Sequence, residues 1–191
     1  MTDSIPGMFG FRLWYEQIAA EAPPGSTLVE LGVFCGKSLA FLAEQTRSKG
    51  CRVVGVDTFL GSPEFSSGVH INGVPWDEAR VGCLASLCVG HLAGAGVLKD
   101  VTLIVSDAAR AASLFPDSSV WHVFVDAGHD ADSVSRDLAA WWPKVQPGGW
   151  LAGDDYGGQF PGVEEGIKRV FPNVHLPPAG GPVCSWAVRK E

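Results

Sequence analysis

The chain has 191 residues, of which 46% are hydrophobic and 18% charged, ordinary for a globular protein and too apolar for a disordered one. Its formal charge of −7, with no basic stripe to track a phosphate backbone, excludes nucleic acid as the expected partner. No apolar run is long enough to cross a bilayer, so no membrane partner is expected either.

The length is most simply one domain, 1–191, with a single substantial core. The start, MTDSIPGMFG, lacks a basic segment followed by an apolar one, so no secretory signal is expected. Five cysteines (Cys35, Cys51, Cys83, Cys88, Cys184) are odd in number and form no Cys-x-x-Cys pair. They read as small buried side chains in a reducing cytoplasm rather than as disulfides or a structural zinc site.

In chain order, residues 1–26 read as an N-terminal helical extension, with an amphipathic helix over Phe11–Glu21 stopped by Pro23-Pro24-Gly25. A strand over Thr27–Leu31 leads to a helix over Lys37–Arg47, and a strand over Arg52–Val56 to a longer region reaching His91. Val101–Val105 then leads to Ala108–Leu114, Val120–Val125 to Asp132–Trp142, and Trp150–Gly153 to Val163–Phe171. Short continuous runs of Val, Ile and Leu suit strands buried on both faces of a parallel sheet. Their alternation with helices predicts a doubly wound α/β domain. At the end, Asn173–Leu176 and Cys184–Arg189 are two strand-like runs without a helix between them, so they are expected to pair antiparallel at one edge. This makes seven strands, helices on both faces, and one antiparallel C-terminal strand. The Gly-, Ser- and Pro-rich stretch 59–76 reads as a lid loop. Phe65, His70 and Trp76 are its candidate acceptor contacts.

Function is concentrated in Val123 to Tyr156, where two apolar runs end in acids: Val123–Val125 at Asp126, and Trp150–Gly153 at Asp154 and Asp155. Ligands of parallel α/β sheets lie just beyond the carboxyl ends of the strands. Three acids and His129 would therefore meet at one rim. Converging carboxylates repel unless a cation lies between them, and oxygen ligands select a hard ion such as Mg²⁺ or Ca²⁺. Capping is the competing use: Asp154 and Asp155 suit the turn into Tyr156-Gly157-Gly158, and Asp130 or Asp132 suits the start of a helix. His129 would then be a solvated loop residue.

The turn after the first strand, Glu30-Leu31-Gly32-Val33-Phe34-Cys35-Gly36-Lys37-Ser38, is glycine-rich. It is not a P-loop, because only three residues separate Gly32 from Gly36, and not a dinucleotide fingerprint, because Phe34 replaces the middle glycine. Asp57 ends the second strand about 20 residues on, where nucleoside-binding folds grip a ribose diol with a carboxylate.

Glu30-x-Gly32-x-x-x-Gly36-x-Ser38, Val56-Asp57 and Ser106-Asp107-Ala108 together resemble the class I S-adenosylmethionine-dependent methyltransferases. Val125-Asp126-Ala127-Gly128-His129, Asp137-Leu138, Pro147-Gly148-Gly149 and Gly153-Asp154-Asp155-Tyr156 more specifically resemble small metal-dependent O-methyltransferases of the macrocin O-methyltransferase type. The resemblance covers about Leu28 to Phe171. It implies that Gly32 and Gly36 border the methionine part of S-adenosylmethionine, with Glu30 and Ser38 holding the turn. It places Asp57 at the ribose, and Ser106, Asp107 and Ala108 at the adenine. Asp126, Asp154 and Asp155 match the family's metal ligands, for Mg²⁺ or another divalent cation, and His129 its base. Asp126 thus belongs to both the metal and the catalytic set. Two departures are Ala127, where glycine is commoner, and Asp154-Asp155, where catechol-type relatives carry Asp-Asn.

The expected activity is methylation of a hydroxyl on a small molecule such as a sugar or another diol. Three alternatives stay open: a metal-independent methyltransferase, a non-catalytic S-adenosylmethionine-binding protein, and a nicotinamide-dependent oxidoreductase. Oligomeric state is also open, a homo-oligomer included.

Overall fold

A computed structural model describes residues 2–61, 69–71, 74–76, 82–173 and 185–191. Phe65, His175, Cys184, the side chains of His70 and Trp76, and 174–182 lie outside the described residues.

Among the described residues, eight strands and six α-helices follow in chain order: α1 (Arg12–Glu21), β1 (Thr27–Leu31), α2 (Lys37–Thr46), β2 (Arg52–Asp57), β3 (Val69–Ile71), β4 (Val74–Trp76), α3 (Leu84–Gly94), β5 (Val101–Val105), α4 (Ala108–Ala111), β6 (Val120–Val125), α5 (Ala131–Trp141), β7 (Val145–Gly153), α6 (Pro161–Val170) and β8 (Trp186–Arg189). The main sheet runs β5-β2-β1-β6-β7-β8, and β3 and β4 form a separate antiparallel pair. All neighbours in the main sheet are parallel except β7 and β8. The doubly wound class and the antiparallel C-terminal strand hold. The strand number is corrected: the described residues place six strands in the main sheet rather than seven. Of the expected extra strand, Asn173–Leu176, only Asn173 is described, and it lies in a turn.

The continuous apolar runs become strands because both faces are covered. Along β1, Leu28 joins a core cluster with Tyr15 and Ile18 of α1, Leu39 and Leu42 of α2, and Leu92 of α3. Its neighbour Val29 joins the opposite cluster with Val134, Leu138 and Trp141 of α5 and Ile167 of α6. Successive side chains of a strand point to opposite faces, so a two-sided sheet buries every position along β1, the polar Thr27 and Glu30 included. Helix α1 buries Tyr15, Ile18 and Ala19 on a stripe of helical spacing.

Most boundaries differ from the sequence reading by one or two residues, and two elements differ more in kind. Strand β7 begins at Val145, five residues before Trp150, and so includes Pro147-Gly148-Gly149. The C-terminal strand's continuation draws this segment in: Gly148 N–H donates to the Lys190 carbonyl at 2.7 Å and Lys190 N–H to the Gly149 carbonyl at 2.9 Å. The helical Ala108–Leu114 divides into four α-helical residues and a 3₁₀ turn, Ala112–Leu114. No described helix is long and apolar enough to cross a membrane.

Candidate active site

Strands β1 and β6 end side by side, followed by Gly32 and Asp126. Gly32 N–H donates to the Val56 carbonyl at 2.9 Å, and Asp126 N–H donates to the Leu31 carbonyl at 2.8 Å. The crevice that opens there is the switch point of the sheet, where chains leaving β1 and β6 cross to opposite sides. A cavity of about 360 Å³ fills it. Ten of the twelve expected site residues line it: Gly32, Ser38, Asp57, Ser106, Asp107, Ala108, Asp126, His129, Asp154 and Asp155. Glu30 and Gly36 stand behind the wall.

The glycine turn is held from beneath. Val33 N–H and Phe34 N–H donate to Asp57 Oδ2 at 2.7 and 2.8 Å, and Phe59 N–H donates to Asp57 Oδ1 at 2.7 Å. These bonds stabilise Phe34 at φ 51, a left-handed conformation that a bulky residue rarely adopts. Glu30, fully buried, accepts from Tyr15 Oη–H at 2.6 Å and from Ser38 Oγ–H at 2.8 Å. Burial raises the Glu30 carboxyl to about 8, against the lowering effect of its two hydrogen bonds. Helix α1 therefore reaches the floor of the site through Tyr15.

The far end of the cavity is built on Ser106–Ala108. Asp107 caps α4 by accepting from Arg110 N–H at 3.0 Å and pairs with Arg136 at 3.2 Å. Trp141 Nε1–H donates to the Ala108 carbonyl at 2.9 Å, tying this turn to α5. Trp141 and Trp121 are buried packing residues, as their positions imply. Asp137, named in the sequence only within a longer motif, is 2% exposed and lines the cavity. Burial pushes its carboxyl up to about 7.

At the acidic rim, burial first and then the charges of Asp154 and Asp155 raise the Asp126 carboxyl to about 7. Asp154 is also raised, chiefly by burial, and accepts from Ser185 Oγ–H at 3.4 Å. Asp155 adopts φ 64, and its Oδ2 lies 2.9 Å from His129 Nε2. The His129 ring stacks on Phe160 with centroids 4.0 Å apart and planes 13° apart. Helix α6 packs close enough on this loop that a Cβ on Gly162 would lie 2.4 Å from the His129 carbonyl oxygen. His129 is therefore a half-buried, oriented side chain and not a solvated loop residue.

Ligand atoms of Asp126, His129 and Asp155 lie within 4.8 Å of one another. Such a set fits a divalent cation, whose charge would offset the repulsion that raises Asp126. The expected third acid, Asp154, is outside this set and faces Ser185. Asp130, by contrast, does serve as a helix cap, accepting from Ser133 N–H at 2.9 Å at the start of α5.

Sequence reasoning did not single out Tyr15, Lys37, Arg136, Asp137 or Phe160. Tyr15 and Asp137 occupy helix positions whose burial could be read from periodicity, since each falls three or four residues from apolar partners. Lys37, Arg136 and Phe160 carried no such signal.

A family of proteins described as a methyltransferase domain matches residues 29–156. Among solved structures, the O-methyltransferase NovP is similar at 19% identity and a TM-score of 0.67, over 94% of this chain and 77% of that one. CalS11, a TDP-rhamnose 3′-O-methyltransferase of calicheamicin biosynthesis, is similar at 18% identity and a TM-score of 0.62, over 94% and 76%. The O-methyltransferase TomG from Streptomyces achromogenes is similar at 17% identity and a TM-score of 0.61, over 94% and 79%. At these identities the likeness establishes a shared fold. The family match spans both the glycine turn and the acidic rim, and the chain belongs to the methyltransferase domain family.

Proposed function

We propose that the protein transfers the methyl group of S-adenosylmethionine to a hydroxyl of a small molecule, assisted by a divalent cation such as Mg²⁺. One observation carries this reading: the Asp126, His129 and Asp155 cluster opens into the same cavity as Gly32, Asp57 and the Ser106–Ala108 turn. NovP, CalS11 and TomG, which share the fold, are O-methyltransferases.

In this reading Gly32 borders the methionine part, Ser38 fixes the turn beside it through Glu30, Asp57 takes the ribose and Ser106–Ala108 the adenine. Asp57 already accepts three N–H groups, and two carboxylate oxygens offer about four acceptor sites, so it has room for about one ribose hydroxyl. Asp126 and Asp155, with Asp154 beside them, would hold the cation. When bound, the cofactor supplies an electrophilic methyl on sulfur, and the cation supplies positive charge that acidifies a nearby hydroxyl.

The remaining work falls to the chain's own side chains. His129 takes the proton leaving the hydroxyl. Asp155, 2.9 Å away, steadies the imidazolium that results. The Phe160 stack fixes the ring plane, and the shared cavity keeps acceptor and donor together.

The test is release of S-adenosylhomocysteine over a panel of catechols, polyphenols and glycosides, with Mg²⁺ and with EDTA. Turnover abolished by EDTA and by Asp126→Asn is expected. Turnover that survives both would leave a methyltransferase without metal assistance.

A further inference from the structure

Strand β5 closes one side of the main sheet, and among the described residues nothing pairs with its outer edge. Its inner edge is held by β2: Ser106 N–H, one residue past the strand, donates to the Asp57 carbonyl at 3.0 Å. In an extended chain the N–H and C=O of one residue point to the same side, and the side alternates from residue to residue. Thr102 and Ile104 therefore face β2 together with Ser106. Val101, Leu103 and Val105 turn their backbone groups outward.

An open edge of this kind is a template for another strand, and folded proteins usually blunt it with charge or proline. The sequence of β5, Val-Thr-Leu-Ile-Val, contains neither. At the other end of the sheet, β8 carries Arg189 and runs on into Lys190 and Glu191. The chain on either side of β5 adds apolar surface. Val105 itself is 69% exposed, Leu98 in the turn leading into the strand 38%, and Leu114 in the turn after α4 65%.

The sequence of this edge selects its partner. A two-fold contact presents the same patch from both copies, so the patch must complement itself. Laid antiparallel about Leu103, β5 meets its own copy with Leu103 opposite Leu103 and Val101 opposite Val105. All of these turn their backbone groups outward, so each pair can exchange both of its hydrogen bonds. Between them Thr102 stands opposite Ile104, and both are β-branched residues suited to a pleated surface. The same arrangement brings Lys99, before the strand, to the end where Asp107 follows the strand of the other copy. Opposite charges therefore meet at both ends of the contact. A parallel copy in register would set like charges together instead.

We propose that the protein forms a two-fold dimer in which β5 pairs antiparallel with β5 of a second copy, joining the two main sheets into one.

Sedimentation velocity of the full chain over a concentration series tests the association, and residue-resolved amide hydrogen exchange tests the register. A dimer is expected. As it replaces monomer, the Val101, Leu103 and Val105 amides should exchange more slowly, by roughly tenfold or more. The Thr102 and Ile104 amides, bonded to β2, should be protected at every concentration. Val105→Lys places a charge on an exposed edge position, and Val105→Pro removes an N–H that faces outward. Each is expected to weaken the dimer by at least roughly tenfold. A chain that stays monomeric throughout overturns the proposal. So does a dimer that both variants leave intact, or one in which the three outward amides exchange as fast as in the monomer.

Discussion

Gly32 and Asp126 approach so closely that a Cβ added to Gly32 would stand 1.8 Å from the Asp126 carbonyl oxygen. Gly32 also has φ 87, a region that side-chain-bearing residues rarely enter. The contact lies between two backbones, so no side chain can swing aside to relieve it. It also fixes where the glycine turn stands relative to the acidic rim.

Gly32→Ala is therefore expected to destabilise the fold by about 3 kcal/mol or more, combining overpacking with strain at positive φ. Urea unfolding monitored by tryptophan fluorescence measures it. A midpoint equal to that of the wild type would show that β1 and β6 can part without cost, contrary to the geometry.

The buried Tyr15–Glu30–Ser38 cluster leads to a pH dependence. Glu30 has a folded value of about 8 against 4.5 for a free carboxyl. The folded state holds this proton where the unfolded state has lost it, so the stability it contributes is full below about 4.5 and disappears as pH rises through about 8. Buried His122 acts in the opposite direction: burial lowers it from 6.5 to about 3, so stability is lost as pH falls through that window. The two oppose each other between about 4.5 and 6.5, which leaves the Glu30 effect clearest between 6.5 and 8. There its slope is at most about 1.4 kcal/mol per pH unit. Asp126 and Asp137 slope the same way as far as about 7. Melting temperatures of wild type and Glu30→Gln across pH 6.5 to 8.5 are expected to show a flatter profile for the variant. Parallel profiles would mean that Glu30 is ionised in the folded protein.

Much of this site could be read from the chain because its residues end apolar runs. Val123–Val125 and Trp150–Gly153 are buried strands, and a strand's last residue must emerge at the rim, so Asp126, Asp154 and Asp155 were placed by the pattern alone. What an acid does once there depends on neighbours distant in sequence. Asp154 turns to Ser185 and Asp155 to His129, a choice set by the left-handed backbone at Asp155 and by the arrival of β8. Pro147-Gly148-Gly149 resembles a turn and becomes strand only because Lys190, more than 40 residues away, pairs with it.

Asp57 is expected to couple stability to cofactor binding. It accepts from Val33, Phe34 and Phe59 N–H, all at 2.7–2.8 Å, so Asp57→Ala leaves three backbone donors without their acceptor. Each such loss costs about 1–3 kcal/mol where the donor is cut off from water. Lower stability and S-adenosylhomocysteine affinity reduced by at least roughly tenfold are expected together. Binding at wild-type strength would show that the turn needs no carboxylate beneath it.

His129 and Asp155 provide the kinetic test of the proposed chemistry. If His129 takes the proton, His129→Gln should lower kcat by roughly 10²–10⁴-fold while cofactor affinity stays near wild type. Asp155→Asn keeps the shape of its neighbour but removes the charge that steadies an imidazolium 2.9 Å away. It is expected to shift the acid limb of the kcat–pH profile downward, because an imidazole without that carboxylate holds its proton less tightly. The same substitution removes a negative charge from the rim, so divalent-cation affinity should fall in parallel, read by Mn²⁺ paramagnetic resonance without turnover. A His129→Gln enzyme with full kcat would exclude His129 as the base. A weakened cation with an unmoved pH limb would assign Asp155 to the cation and leave His129 to act alone.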